Sequence, residues 1–146
     1  MTAARMRALL CGLCVAGQVR AEAGEADVRR IEAMRAKAVA HYDALEFEAA
    51  RGGLDEALAA ARAVGLDQAA VAARLHVTLA IVWVGGLRDR YRGLQEMLTA
   101  VRIDPAVDID PTLATLETQE LLQSARDAVA TQRAARAPSG APTAGG

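Results

Sequence analysis

The chain has 146 residues, 35 of them alanine, and only four aromatic side chains: Tyr42, Phe47, Trp83 and Tyr91. That length makes one domain with room for tails, and such composition favours close-packed helices over a β-sandwich, a barrel or a large α/β enzyme. A net charge of -1 with 24% charged residues leaves no basic surface to draw nucleic acid, and collagen-like, coiled-coil and wholly disordered classes are excluded.

Arg5 and Arg7 precede an uncharged run from Ala8 to Val19, and Val19-Arg20-Ala21 sets modest side chains before a cut after Ala21. This is the layout of a secretory signal peptide, so residues 1–21 are expected to be removed on export to the periplasm. The alternative is an ordinary N-terminal helix. A lasting membrane span needs more length: twelve helical residues reach about 18 Å, against a hydrocarbon core of about 30 Å. Cys11 and Cys14, the only two cysteines, both fall in the apolar run. A CxxC with no second pair, no nearby His and no following βα unit is a weak signal for metal or redox chemistry. Neither cysteine follows residues that resemble a lipoprotein lipobox. After the cut the chain is expected to be free of cysteine. The leader takes Arg5, Arg7 and Arg20 with it, so 17 bases become 14 against 18 acids, a net charge of -4.

A polar entry segment, 22–27, leads into helical spacing at Val28, Ile31, Met34, Ala38 and Tyr42. A second stripe, Phe47, Ala50, Leu54, Ala57 and Leu58, follows a phase shift at Leu45-Glu46 that reads as a tight helix–helix turn. Gly65 marks the end of this helix, and Asp67 is placed to cap the next. Val71, Leu75, Leu79, Val82 and Trp83 predict a strongly apolar third helix, broken by Gly85-Gly86. Tyr91, Leu94, Leu98 and Val101 give a fourth, closed by Asp104-Pro105. Residues 106–133 then hold a turn-rich stretch around Asp108-Ile-Asp-Pro111 and a last amphipathic helix from about Leu116 to Ala130. The tail, 134–146, is expected to be disordered, because its small and polar residues bury too little surface to offset ordering.

The two hairpins align with each other. Phe47-Glu-Ala-Ala50-x3-Leu54-x2-Ala57-Leu58 matches Arg90-Tyr-Arg-Gly93-x3-Met97-x2-Ala100-Val101, and Met34-x3-Ala38-x2-His41 matches His76-x3-Ala80-x2-Trp83. Leu79-Ala80-x2-Trp83, Gly93-x3-Met97-x2-Ala100 and Ile103-Asp104-Pro105 together resemble the tetratricopeptide repeat. Backbones approach where the crossing side chains are small, and large neighbours fill the grooves. The resemblance covers about residues 30 to 105. The units are 43 residues apart, from Ala57 to Ala100, against about 34 in the family. The first unit also has Lys37, His41 and Arg62 where leucine, an aromatic and proline are usual. The resemblance implies an all-α fold: two antiparallel helical hairpins over 28–105, stacked as a short solenoid, with the last helix as a cap. A plain helical bundle is the alternative.

No catalytic constellation emerges. His41 and His76 are the only histidines, and Asp43 is the only acid near either in sequence, so no metal set is complete. Gly85-Gly86-Leu87-Arg88-Asp89 lacks the phosphate-loop pattern, and Asp104, Asp108 and Asp110 lack the spacing of a calcium hand and read as a solvated turn. Neither cofactor nor enzymatic activity is expected. Binding remains. The resemblance implies a concave face built from the first helix of each unit, carrying Arg35, Tyr42 and Asp43 from one and Arg74, Val77 and Ile81 from the other. Arg74, Val77 and Ile81 share one face of the third helix, with Leu75, Leu79 and Val82 directed inward. The expected role is an exported adaptor or assembly factor that holds a protein or peptide partner on a shallow groove. A self-associating structural component of a larger envelope complex is the second reading, with a homo-oligomer as its mark.

Export has a direct readout. Mass spectrometry of the native protein should find an N-terminus at Glu22, and an intact start on a cytosolic chain would contradict it.

Overall fold

The computed structural model describes residues 7–137, with side chains from 24 onward. The expected leader with Cys11 and Cys14 lies outside the residues whose side chains are described, and so does the tail beyond residue 137. All regular structure among the described residues is helical: α1 (Arg7–Asp43), α2 (Phe47–Ala63), α3 (Ala70–Ile81), α4 (Arg90–Ile103) and α5 (Leu116–Arg136). Residues 134–136, expected in the tail, belong to the last turn of α5. No described helix is long and apolar enough to cross a membrane.

Both early turns are built the same way. At the end of α2 the Leu66 amide donates to the Ala61 carbonyl and the Gly65 amide to that of Arg62, with Gly65 at φ +74°. At the end of α1 the Glu46 amide donates to His41 and the Leu45 amide to Tyr42, so Leu45 occupies the position that Gly65 holds in the next turn. Leu45 has φ 64° and is 74% exposed, a left-handed residue with a side chain that gains little from burial. Asp67 does not cap α3. The helix begins after Ala69 with no side-chain cap, and Asp67 instead accepts a hydrogen bond from Gln68.

The α1–α2 and α3–α4 hairpins meet along small residues. Ala38, Ala50, Ala57, Ala80 and Ala100 are all buried, and Gly93 lies against Ala80 and Val84. The inward face of α4 is Gly93, Met97, Ala100 and Val101, so the stripe expected from its large apolar residues is rotated, and Tyr91 is 73% exposed. Gly85-Gly86 does not end the third helix at once. The chain widens into a π-helical turn, Val82–Gly86, before the reversal to α4. The bare glycines admit the first hairpin's turn: a Cβ on Gly86 would stand 2.5 Å from the Phe47 ring, and one on Gly85 would collide with the Tyr42 hydroxyl. Trp83, at the edge of this turn, is half-buried, with the Arg92 and Arg51 guanidiniums 4.6 and 5.7 Å from its ring centroid.

Helix α3 is central, with nine of its 12 residues buried. Val71, Leu75, Leu79 and Val82 join Ile31, Ala38, Leu54 and Ala57 in one core. The opposite side, Ala73, Val77, Ala80 and Ile81, joins a second core with Met97, Val107, Ile109, Leu113, Leu121 and Leu122. Val77 and Ile81, expected on an open face, are therefore only 3% and 2% exposed. What covers them is the chain after α4.

That chain does not turn straight back. Arg90 at the start of α4 pairs with Glu117 at the start of α5 at 2.9 Å, and Arg102 at the end of α4 meets Gln132 near the end of α5 at 3.3 Å. Helices α4 and α5 thus run parallel, and residues 104–115 must cross the whole length of the hairpin between them. Thr115 and Thr118 close this crossover by reciprocal capping: each hydroxyl accepts the other's backbone amide.

Two substitutions test the turns and the hairpin contact. Leu45→Gly should relieve about 1–2 kcal/mol of left-handed strain, less the entropy glycine adds to the unfolded chain, for a net gain of about 0.5–1 kcal/mol in urea unfolding. Gly93→Ala should lose about 1–3 kcal/mol, because its Cβ would press on Val84 and stand 3.2 Å from the Ala80 carbonyl.

Candidate functional site

The face shared by α1 and α3 holds a connected set of polar groups, Glu32, Arg35, Arg74 and Thr78, beside the core. The two helices lie side by side in the same direction: Glu32 pairs with Arg74, 42 residues on, and Arg35 approaches Thr78, 43 residues on. Glu32 is the hinge of this set. Its carboxylate accepts from Arg35 Nε at 2.8 Å and from Arg74 Nε at 2.6 Å, so one anion holds two guanidiniums. Thr78, almost fully buried, donates its hydroxyl to the Arg74 carbonyl at 2.9 Å and lies 3.5 Å from Arg35 Nη1. Burial alone would raise the Glu32 pKa, but the hydrogen bonds and charges of Arg35 and Arg74 outweigh it and hold the carboxyl below its ordinary value.

The crossover forms the opposite wall. Val107, Ile109 and Leu113 turn inward onto the α3 face, and Asp108 and Asp110 turn out between them. The acids stiffen the segment locally: Asp104 accepts from the Ala106 amide, Asp108 from the Ile109 amide, and Asp110 from the amide and hydroxyl of Thr112. The Thr112 bonds, backbone first and hydroxyl second, lower the Asp110 pKa despite its exposure. Arg126 of α5 fastens the segment from outside, donating to the Val107 carbonyl at 2.7 Å. Between crossover and helices lies an open recess of about 390 Å³ lined by Arg35, Arg74, Thr78 and the crossover's own side chains.

Of the six residues expected on the concave face, four come together here and two do not. Arg35 and Arg74 edge the recess, and Val77 and Ile81 form its buried floor. The expectation that Arg74 stands free beside two exposed aliphatics is corrected: its guanidinium is tied to Glu32, and both aliphatics lie under the crossover. Tyr42 is half-buried, with its ring 5.5 Å from that of Phe47 and its hydroxyl over Gly85; burial, aided by the Asp43 charge, raises its pKa. Asp43 is exposed at the end of α1, eight residues and about 12 Å of helix beyond Arg35. Sequence reasoning missed Glu32, Thr78 and the crossover. Glu32 stands one helical turn before Arg35, and Val107-Asp-Ile-Asp110 alternates as a half-buried extended segment does. Both signals were present.

The histidines sit elsewhere. His41 Nδ1 is 2.5 Å from Glu46 across the first turn, and His76 Nδ1 is 2.6 Å from Glu96 between α3 and α4. Among the described residues no three His, Cys, Asp or Glu side chains are arranged to hold a metal ion. Comparisons with protein-family models, with curated proteins and with solved structures each returned no match.

The Glu32 pairing has a pH signature. A carboxyl lowered on folding adds stability above the unfolded value, and that stability is lost as pH falls through the folded one. Glu32→Gln should cost about 1 kcal/mol at neutral pH and reduce the loss of stability on acidification below about pH 4.5. An unchanged acid limb in urea titrations would mean that the pairing contributes nothing.

Proposed function

We propose that this protein is a non-catalytic, exported interaction module, an adaptor or assembly factor that takes an extended partner segment on the α1–α3 face. Its hairpins are read as two tetratricopeptide-like units, the first of them degenerate. What supports that kinship is the burial of Ala38, Ala50, Ala57, Ala80 and Ala100 at the helix contacts, together with side-by-side first helices offset by one repeat. The direction of α5 is a departure, since stacked hairpins alternate direction from helix to helix. Export rests on the charged start, the apolar run and the Ala21 site.

One observation carries the binding mode. The chain's own Asp104–Leu113 segment already lies across α3, with alternate aliphatics on Val77 and Ile81 and acids directed outward. Beyond the α4 cap, where the Asp104 amide donates to the Ala100 carbonyl, its backbone meets the helices through the Arg126 bond to Val107, so side-chain burial supplies most of the attachment. A partner of the same chemistry, extended and alternating between aliphatic and acidic side chains, fits the face once this segment lifts. The guanidiniums of Arg35 and Arg74 complement its acids.

A peptide competition tests the reading. A labelled peptide of residues 104–113 should bind the Val107→Ala/Ile109→Ala double variant at least about tenfold more tightly than the native chain, where the tethered segment competes at high effective concentration. If the variant is folded by circular dichroism and takes no peptide, the face is not a recognition surface.

A further inference from the structure

The recess beside the crossover is not explained by the partner reading, because it persists while the chain's own segment is seated. Its volume, about 390 Å³, lies within the roughly 300–1,000 Å³ of small-molecule sites. Its walls differ in sign. On the helix side stand two guanidiniums, each with five N–H donors, which share the single carboxylate of Glu32 and of which Arg35 also acts on Asp110 across the recess. On the crossover side stand Asp104, Asp108 and Asp110. The floor, Val77 and Ile81, is nearly closed by the crossover, and the open apolar surface of the recess comes from Ala106 and Pro111.

We propose that this recess binds a small zwitterion, an α-amino acid with an aliphatic side chain, carboxylate on Arg35 and Arg74 and ammonium on Asp110. The chemistry follows from the pairing of the walls. A simple anion satisfies the guanidiniums but meets three aspartates, and a simple cation meets the reverse. A group bearing both charges on one small skeleton meets each wall, and its aliphatic side chain packs on Ala106 and Pro111. Planar guanidinium forks suit a carboxylate, and those of Arg35 and Arg74 retain donors beyond the bonds given to Glu32. Asp110 spends one oxygen, Oδ1, on both bonds from Thr112, which leaves Oδ2 for an ammonium group. Asp108 serves less well, since it also faces Arg126 at 3.9 Å. A ligand in this place touches both the helices and the crossover, so it holds the crossover down.

Calorimetric titration of the full chain at low salt tests this with three probes sharing one skeleton. L-leucine carries both charges, 4-methylpentanoate only the carboxylate, and 3-methylbutylamine only the ammonium. Leucine should bind, and each half-molecule should bind at least about tenfold more weakly, the loss expected for one charge-assisted contact. Arg35→Gln and Asp110→Asn should each weaken leucine by a similar factor, while Arg90→Gln at the opposite end of α4 leaves it unchanged. Asp110→Asn keeps the oxygen that accepts from Thr112 and sits on an exposed turn, so it carries the test even if Arg35→Gln fails to fold. Absence of leucine binding up to about 10 mM, an affinity too weak to count as a site, would overturn the proposal. So would 4-methylpentanoate binding as tightly as leucine, which marks a plain anion site, or an unaffected Asp110→Asn. None of these outcomes depends on whether a protein partner uses the same face.

Discussion

Three aliphatic side chains on a twelve-residue connection, Val107, Ile109 and Leu113, set the character of the molecule by burying themselves on α3. Without them α3 keeps its inner stripe and its contact with α4 through Ala80, but Val77 and Ile81 lose the cover of the crossover. With them it is covered on both sides and becomes the axis between two cores. The same crossing delivers the chain to the start of α4, so α5 has to run parallel to its predecessor, with Leu121, Leu122, Ala125 and Val129 packed inward. The groove that two stacked hairpins would leave open is, in consequence, a lined and partly filled recess.

Much of the helical framework was legible in the residues. The break at Leu45-Glu46, the Gly65 terminus and the Asp104-Pro105 stop all lie where local backbone chemistry dictates, because turn geometry depends on a few neighbouring residues. Matching one hairpin to the other located the inward face of α4, Gly93, Met97 and Ala100, better than hydrophobicity did. Tyr91 misleads there, whereas Leu94 and Leu98 do pack against the core from its edge and the close helix crossing itself selects for smallness.

What was not legible depends on distant chain. The partner of Arg74 is Glu32, 42 residues away, and only the packing of α1 beside α3 makes the pair. The direction in which Val77 faces is settled by a segment thirty residues downstream. The π-helical turn at Val82–Gly86 answers to the Tyr42 and Phe47 rings of the other hairpin, so two glycines that look like a simple break serve as clearance. Asp67 shows the converse: a sound capping residue goes unused when the helix starts three residues later.

The functional reading follows the same lines. One carboxylate gathers two guanidiniums above buried aliphatics, and the acidic crossover faces them, so the recognition proposed for this face rests on charge pairing. All of it presumes that residues 104–115 traverse α3 and that α5 runs parallel to α4. Spin labels on substituted cysteines measure this directly, in a chain whose Cys11 and Cys14 are replaced by serine. The separation between positions 102 and 117 should exceed that between 102 and 132 by about 15 Å, since the intervening turns of α5 rise about 22 Å and packed helices lie about 8–10 Å apart. A shorter 102–117 distance would mean that α5 turns straight back along α4, leaving Val77 and Ile81 uncovered and contradicting the account.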